Sequence, residues 1–446
     1  MPSLAASLRQ VRDRSVPPRH YGRVTSVVGL LVEANELDAA VGEMCHILIG
    51  TGPHARKVRA EVVGVREGAT VLMPMEETHG LQAGCLVRRA DRGMTMPAGR
   101  ELLGRVVDAG GRPIDGRGPL GTTDQEPIHR DPPSPLERPL IDTRLATGIR
   151  AIDAFLTMGK GQRTGIFAGS GVGKSTLLGM IARRAEADVN VIALIGERGR
   201  EVREFIADNL GEDGLRKSVI VAVTGDEAAM SRVKAASAAM ALAEHFRDRG
   251  KDVLLMMDSL TRVAMAQREV GLAIGEPPTT RGYPPSVFAL LPRLLERAGP
   301  AEAGTITGIF TVLVDGDDMN EPIADAARGI LDGHIVLSRD LAQAGHYPAI
   351  DVLQSVSRVM PRVVSDAAED AAQEARQLLA AYDEVEDLIN IGAYESGNDP
   401  TTDRAVAAQS ALAEFLQQRV HAPLPDTDAA VQLQSVLEQI PDAPAA

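Results

Sequence analysis

The segment Ala168-Gly-Ser-Gly-Val-Gly-Lys-Ser175 constrains the fold of this chain more than any other stretch. It follows the apolar run Thr164–Phe167, and beyond Lys174 the residues Leu177 and Ile181 recur at helical spacing. A strand, a glycine-rich loop and a helix in that order make a phosphate cradle. The glycines let backbone N–H groups close around an anion, and the helix N-terminus adds positive potential. Gly169, Ser170, Gly171, Val172, Gly173 and Thr176 are the expected lining. Lys174 supplies a positive charge for the β and γ phosphates, and Ser175 a hydroxyl for Mg²⁺. The first position of the usual G-x-x-x-x-G-K-[ST] pattern is Ala168 here, which argues against a left-handed backbone at that residue. The later glycines keep the cradle.

Around this loop, apolar runs alternate with helical stretches. The expected strands are Thr164–Phe167, Asn190–Ile195, Ser218–Thr224, Asp252–Met257, Ile306–Val314 and His334–Leu337. They are apolar nearly throughout, as strands buried on both faces must be. Helical stretches such as Lys174–Arg184 and Ala228–Arg249 separate them, so the fold class is α/β with a mostly parallel sheet. Residues 22–92 differ. Their short apolar runs, Val24–Val32, Cys45–Ile49, Val58–Val65, Thr70–Pro74 and Cys85–Arg89, predict a small N-terminal β-barrel. Residues 93–146 are rich in Gly and Pro and read as a long connection, opening a nucleotide-binding domain over 93–362. Beyond it, Leu378, Tyr382, Val385 and Ile389 share a helical face, as do Leu433, Leu437 and Ile440, which predicts a helical C-terminal domain over 363–446. Residues 1–21 carry Leu4, Leu8 and Val11 at helical spacing, either a short amphipathic arm or a frayed terminus.

A nucleotide hydrolase needs a carboxylate near Mg²⁺ and a group that orients the attacking water. Asp258 ends an apolar strand, where a side chain reaches the carboxyl edge of the sheet beside the loop. It is the Mg²⁺-side candidate, the alternative being an ordinary helix N-cap. Glu197 ends the preceding strand in the same way, with Arg198 beside it. It is the candidate general base, with Glu201 next in line, and the alternative is a solvated carboxylate paired to Arg200.

Composition excludes several classes. No run approaches the ~18 uncharged apolar residues of a membrane span. The two cysteines, Cys45 and Cys85, make no CxxC, so neither a disulfide framework nor a zinc ribbon is expected, and a reducing cytosol suits the chain. From Asp366 onward 16 Asp and Glu face three basic residues, so nearly all of the formal charge of −14 sits there. That is a solvated helical face or an acidic docking surface. No basic stripe is visible, so no nucleic acid is expected as a partner.

Several motifs occur together and in order: Gly169–Ser175, Gly196-Glu-Arg-Gly-Arg-Glu201, Asp258-Ser-Leu-Thr-Arg262, Gly282-Tyr-Pro-Pro-Ser-Val-Phe288, Tyr347-Pro-Ala-Ile-Asp351 and Ser355-Val-Ser-Arg358. Together they resemble the rotary ATPase α/β family of hexameric RecA-like P-loop proteins. Ala266–Gly271, Leu290–Gly299 and Gly316–Pro322 resemble the type III secretion ATPases, and Leu388–Tyr394 leans toward the flagellar export branch. The resemblance implies a RecA-like core, a β-barrel before it and helices after it. It implies ATP and Mg²⁺ as cofactors, Glu197 as catalytic glutamate, Arg198 as a γ-phosphate contact and Asp258 as the Walker B aspartate. Tyr347 would stack on adenine, and Arg358 would be the arginine finger of a neighbouring subunit. Taken alone, Tyr347 reads as a core or surface aromatic and Arg358 as a salt-bridge residue.

The implied function is ATP hydrolysis that energises or primes protein export by a homohexamer at the inner face of the cytoplasmic membrane. The implied partners are a stator-like protein at the N-terminal arm, stalk and export-gate components, and export substrates with their chaperones. Membrane contact would be peripheral and through partners. Two rivals share the fold. One is the catalytic subunit of a rotary ATP synthase. The other is an RNA-dependent motor of the transcription-termination type, whose barrel needs aromatic stacking platforms, whereas residues 1–100 hold one aromatic, Tyr21.

Overall fold

Alternation of apolar and polar residues closes the first part of the chain into a barrel. Its strands are Tyr21–Val28, Leu31–Asn35, Met44–Ile49, Arg56–Arg66, Ala69–Pro74 and Leu86–Arg89, and the last pairs with the first. Val32, Ala34, Cys45, Ile47, Val58, Ala60, Val62, Leu72 and Val87 fill the interior. The run Val24–Val32, expected as one strand, is two. The chain turns at Gly29, whose φ of 57° suits glycine, and at exposed Leu30. The computed structural model describes residues 21–441 apart from 51–54, 67, 91–92, 315, 317, 398 and 424–426. The expected arm with Leu4, Leu8 and Val11 lies outside the described residues. Two compact units, Met1–Met94 and Thr95–Ala446, make up the chain.

A nine-stranded sheet organises the second unit. Across it run Ile350–Ser357, Gly333–Leu337, Arg163–Ala168, Thr305–Leu313, Asp252–Asp258, Val189–Glu197, Ser218–Thr224 and Val106–Val107. Neighbours are parallel except at the Ile350–Ser357 edge, which runs antiparallel to Gly333–Leu337, and at short Gly299–Pro300, which pairs with Thr305–Leu313. The inner strands are buried on both faces, which explains their unbroken apolar sequence. Three strands of this sheet were not expected from sequence, the short Gly299–Pro300 among them. Ile350–Ser357 is an edge with Leu353 and Gln354 both exposed, so alternation fails. Val106–Val107 is only a two-residue strand within the Gly/Pro-rich connection.

The helix Ala229–Arg247 is rich in alanine and buried on nearly every side. Small side chains let it lie close against the sheet while other segments cover its outer face. Its far end carries Glu244, whose carboxylate accepts two hydrogen bonds from Arg297 at 2.8 and 2.7 Å, both side chains almost fully buried. Arg297→Met leaves that carboxylate without its main partner. A loss of about 3 kcal/mol is expected, read as a fall of several degrees in the unfolding midpoint. An unchanged midpoint would show the pair to be dispensable.

The C-terminal helices, Asp366–Asn390, Pro400–Leu416 and Ala429–Glu438, share the core of the sheet rather than forming their own. Leu412, Phe415 and Leu433 join one apolar cluster with Ile152 and Phe155. Part of the acidic charge is structural. Asp399 and Asp428 cap helices, and Asp403 accepts bonds from Tyr394, Ser396 and Gly397. No helix among the described residues is long and apolar enough to cross a membrane.

Candidate active site

The strand Arg163–Ala168 ends at the glycine loop, and the helix Lys174–Arg184 starts directly after it. Ala168 ends the strand, so no left-handed backbone is required of it. The turn falls instead on Gly171 and Gly173, with φ of 80° and 94°. A Cβ at Gly171 would meet nothing within 4 Å, so the loop is open where an anion would enter.

Two cavities meet at this loop, sharing Gly171, Gly173 and Thr176. One is a polar cleft of about 390 Å³ lined by Gly169, Ser170, Lys174, Ser175, Glu197, Arg198, Glu201 and Arg262. The other, of about 1040 Å³, is lined by Val172, Tyr347 and residues after the helix Pro400–Leu416. The Tyr347 ring packs against the loop, its nearest carbon 3.4 Å from where a Cβ at Gly173 would stand.

Lys174 Nζ lies 2.5 Å from Asp258 Oδ1 and 3.7 Å from Glu197 Oε1. Asp258 also accepts a 2.7 Å bond from Thr311, on the strand between its own and the loop strand. It is not a helix N-cap; Ser259 caps the next helix. The alternative reading of Glu197 also fails, since Arg200 pairs with Glu204 at 3.0 Å. Glu197 is largely buried, and its Oε1 has no hydrogen-bond partner. Burial pushes its carboxyl up to about 7, against the pull of Lys174 and with the help of Asp258 and Glu201. A carboxyl poised near neutrality suits proton transfer.

Arg262 was missed in the sequence. It lies near the start of the helix Leu260–Ile274, and its stem passes 3.0 Å from where a Cβ at Gly196 would stand. Gly196, at φ 75°, makes that approach possible. The Arg262 Nε is buried without a hydrogen-bond partner, and its side chain lines the phosphate cleft. Arg198 stays at the rim, 80% exposed, 3.6 Å from Glu201.

Arg358 is not brought to this cleft. Ser357 pairs with Gly333, which pairs with Thr164, so Arg358 stands at the amino end of the strand whose carboxyl end carries the loop. From Thr164 to Ala168 is about 13 Å at ~3.3 Å per residue, more than an arginine side chain spans. Arg358 is exposed, and its guanidinium forms no ion pair with the described residues, contrary to its reading as a salt-bridge residue.

Comparison with known proteins agrees with this layout. The family model described as the ATP synthase alpha/beta family, nucleotide-binding domain, matches residues 148–357, and that family's beta-barrel domain matches 24–91. The T3SS EscN ATPase C-terminal domain matches residues 364–435. The flagellum-specific ATP synthase of Bacillus subtilis is 52% identical, covering 91% of this chain and 92% of the relative. The chain belongs to the flagellar and type III secretion ATPases. The type 3 secretion system ATPase of Xanthomonas euvesicatoria is 50% identical over 94% of both chains. The solved structure of the assembled ATPase EscN from enteropathogenic E. coli matches with a TM-score of 0.88 at 46% identity, covering 93% of this chain and 100% of that one. A second structure, of EscN with its central stalk EscO, matches at 0.86 and 45% identity over the same shares. These relatives favour the secretion branch of the ATPase family over the rotary-synthase rival.

Proposed function

We infer that this ATPase hydrolyses ATP with Mg²⁺, as a ring of six identical chains, and that the turnover energises or primes protein export through a flagellar apparatus. The observation that carries the reading is the placement of Lys174, Glu197 and Asp258 around one phosphate loop. The flagellar choice rests on the Leu388–Tyr394 stretch, since flagellar and type 3 secretion relatives are about equally similar. The RNA-motor reading has no support in the barrel, which matches the rotary family and carries one aromatic, Tyr21.

The residues present fit a magnesium ion. Ser175 and Asp258 line one small cavity with Glu197 and offer hard oxygen donors. Among the described residues no cluster of His, Cys, Asp or Glu could hold a metal by itself. An ion completed by phosphate oxygens is the habit of Mg²⁺. Ser175 and Asp258 would hold it, and bound there it would neutralise charge growing between the β and γ phosphates. The loop N–H groups and Lys174 bind the phosphates. Arg262 adds charge from the facing wall, and Arg198 closes the rim over the γ phosphate. Glu197 orients the water and accepts its proton at the carboxylate. Tyr347 offers a face to the adenine in the larger cavity. Arg358 serves a neighbour's γ phosphate, and the exposed Leu353 and Val356 beside it suit a subunit interface.

The stalk named with EscN suggests a stalk-like partner here as well. A stator-like protein at the N-terminal arm, the export gate, substrates and chaperones complete the expected partners. The work would be done in the cytoplasm at the inner membrane face, with membrane contact through partners.

Glu197→Gln separates binding from chemistry. The amide keeps the shape but cannot take the proton, so turnover falls ~10²–10⁴-fold while ATP affinity changes little. Steady-state turnover with a labelled-nucleotide binding assay reads both. Turnover within a few-fold of the parent would move the base to Glu201.

A further inference from the structure

The wall of the larger cavity is closed by residues 417–423, which follow the helix Pro400–Leu416. Beyond two backbone bonds of its own, Gln417 to Ala413 and Ala422 to Arg419, the strap is held by the nucleotide-binding part of the chain. Arg184, at the far end of the helix that begins at Lys174, donates to the carbonyls of Val420 at 3.0 Å and Ala422 at 2.7 Å. Arg150 donates to the Gln417 carbonyl, and its guanidinium lies over the Phe415 ring.

Gln418 is the centre of this stitching. Its backbone N–H donates to the carbonyl of Tyr347 at 2.9 Å. Its Oε1 accepts the backbone N–H of Arg150 at 2.9 Å, and its Nε2 donates to the Gly148 carbonyl at 2.9 Å. Only 7% of the residue is exposed. A primary amide can donate and accept at once, so one side chain pairs two backbone groups of opposite kind. Those groups belong to the turn before the helix Arg150–Phe155. The same turn is held from inside by buried Asp153, which accepts from Thr147 N–H at 2.8 Å, the Thr147 hydroxyl at 2.7 Å and Gly148 N–H at 2.8 Å. The anchor is therefore rigid, and what it anchors is the backbone of Tyr347.

We propose that Gln418 is a positioning residue for the nucleotide base: it fixes the Tyr347 backbone, and so the ring, at the mouth of the cavity next to Gly173. The proposal rests on the reading that this cavity receives the base. It also gives the helical C-terminal region a direct hold on substrate affinity. Gln418 touches no phosphate-loop residue through these bonds, so its loss acts on ATP capture and not on the chemical step.

Steady-state kinetics of Gln418→Ala, Gln418→Glu and Tyr347→Ala, with pyrophosphate as a competitive inhibitor, test this. Losing the two amide bonds, each worth about a factor of 2–10, should raise KM for ATP ~5–20-fold with kcat within twofold. The inhibition constant of pyrophosphate, which has no base, should stay within twofold. Gln418→Glu keeps the Arg150 bond but sets a carboxylate against the Gly148 carbonyl, so it should also raise KM, and it serves if the alanine variant is unstable. Parallel rises for ATP and pyrophosphate, a fall in kcat matching the change in KM, or an unchanged KM for the Gln418 variants beside a raised one for Tyr347→Ala would each overturn the positioning role. A raised KM for Gln418→Ala with none for Tyr347→Ala would overturn the link through the ring. An unchanged KM in both would instead overturn the base-site reading of the cavity.

Discussion

Assembled Arg358→Ala protein is expected to turn ATP over about 10³–10⁵-fold more slowly than the parent, the range for an arginine supplied in trans. Its guanidinium stays charged, and its planar fork can meet two oxygens of the transferring group. The register of Ser357 with Gly333 and of Gly333 with Thr164 puts this side chain too far from its own phosphate loop. Two further outcomes follow. Specific activity should rise with protein concentration as rings form. Mixing Arg358→Ala with Lys174→Ala chains should restore part of the activity, because some interfaces then join an intact loop to an intact finger. A rate independent of concentration, with no rescue in a verified mixed ring, would remove Arg358 from the neighbour's site.

Lys174→Ala should leave no measurable turnover, a loss beyond the ~10²–10³-fold of one electrostatic donor. Two effects combine. The phosphates lose their cation, and the 2.5 Å and 3.7 Å pairings with Asp258 and Glu197 disappear together. Lys174 is the main force holding the Glu197 carboxyl down against burial. Without it that carboxyl rises further, so less of it is ionised at neutral pH and the base weakens along with the cradle. The barrel and sheet should remain folded, since Lys174 packs in no apolar core. Labelled-nucleotide binding, turnover and circular dichroism check this. Near-normal turnover would overturn the phosphate-loop assignment.

What the sequence disclosed follows from burial. Strands covered on both faces leave unbroken apolar runs, so Asp252–Asp258 and Val189–Glu197 were visible to within a few residues, and with them the two strand-end carboxylates. The phosphate loop was readable because its glycines, lysine and serine are contiguous. The edge Ile350–Ser357 was not, because half of it faces outward. Arg262 was hidden for another reason. It reaches the site from a helix, past a glycine 66 positions earlier, and no local pattern records such a meeting. Gln418 is further still from its partners, with Gly148 270 positions away. The split of Val24–Val32 at Gly29 was masked by an apolar turn residue, Leu30, exposed where a polar residue would have marked the break.

The sheet carries the loop at one end and Arg358, proposed to serve a neighbouring chain, just past its antiparallel edge strand at the other. A pair of chains related by a two-fold axis would present the same patch to each other, and so could not set one chain's arginine into the other's cleft while leaving a next chain its turn. Head-to-tail contact is the arrangement that does, and it has a direction. An open row of such chains always ends on one unserved cleft and one idle arginine. Closing the circle is then worth one additional working site, and a damaged arginine harms the chain next door while its owner's own cleft keeps working.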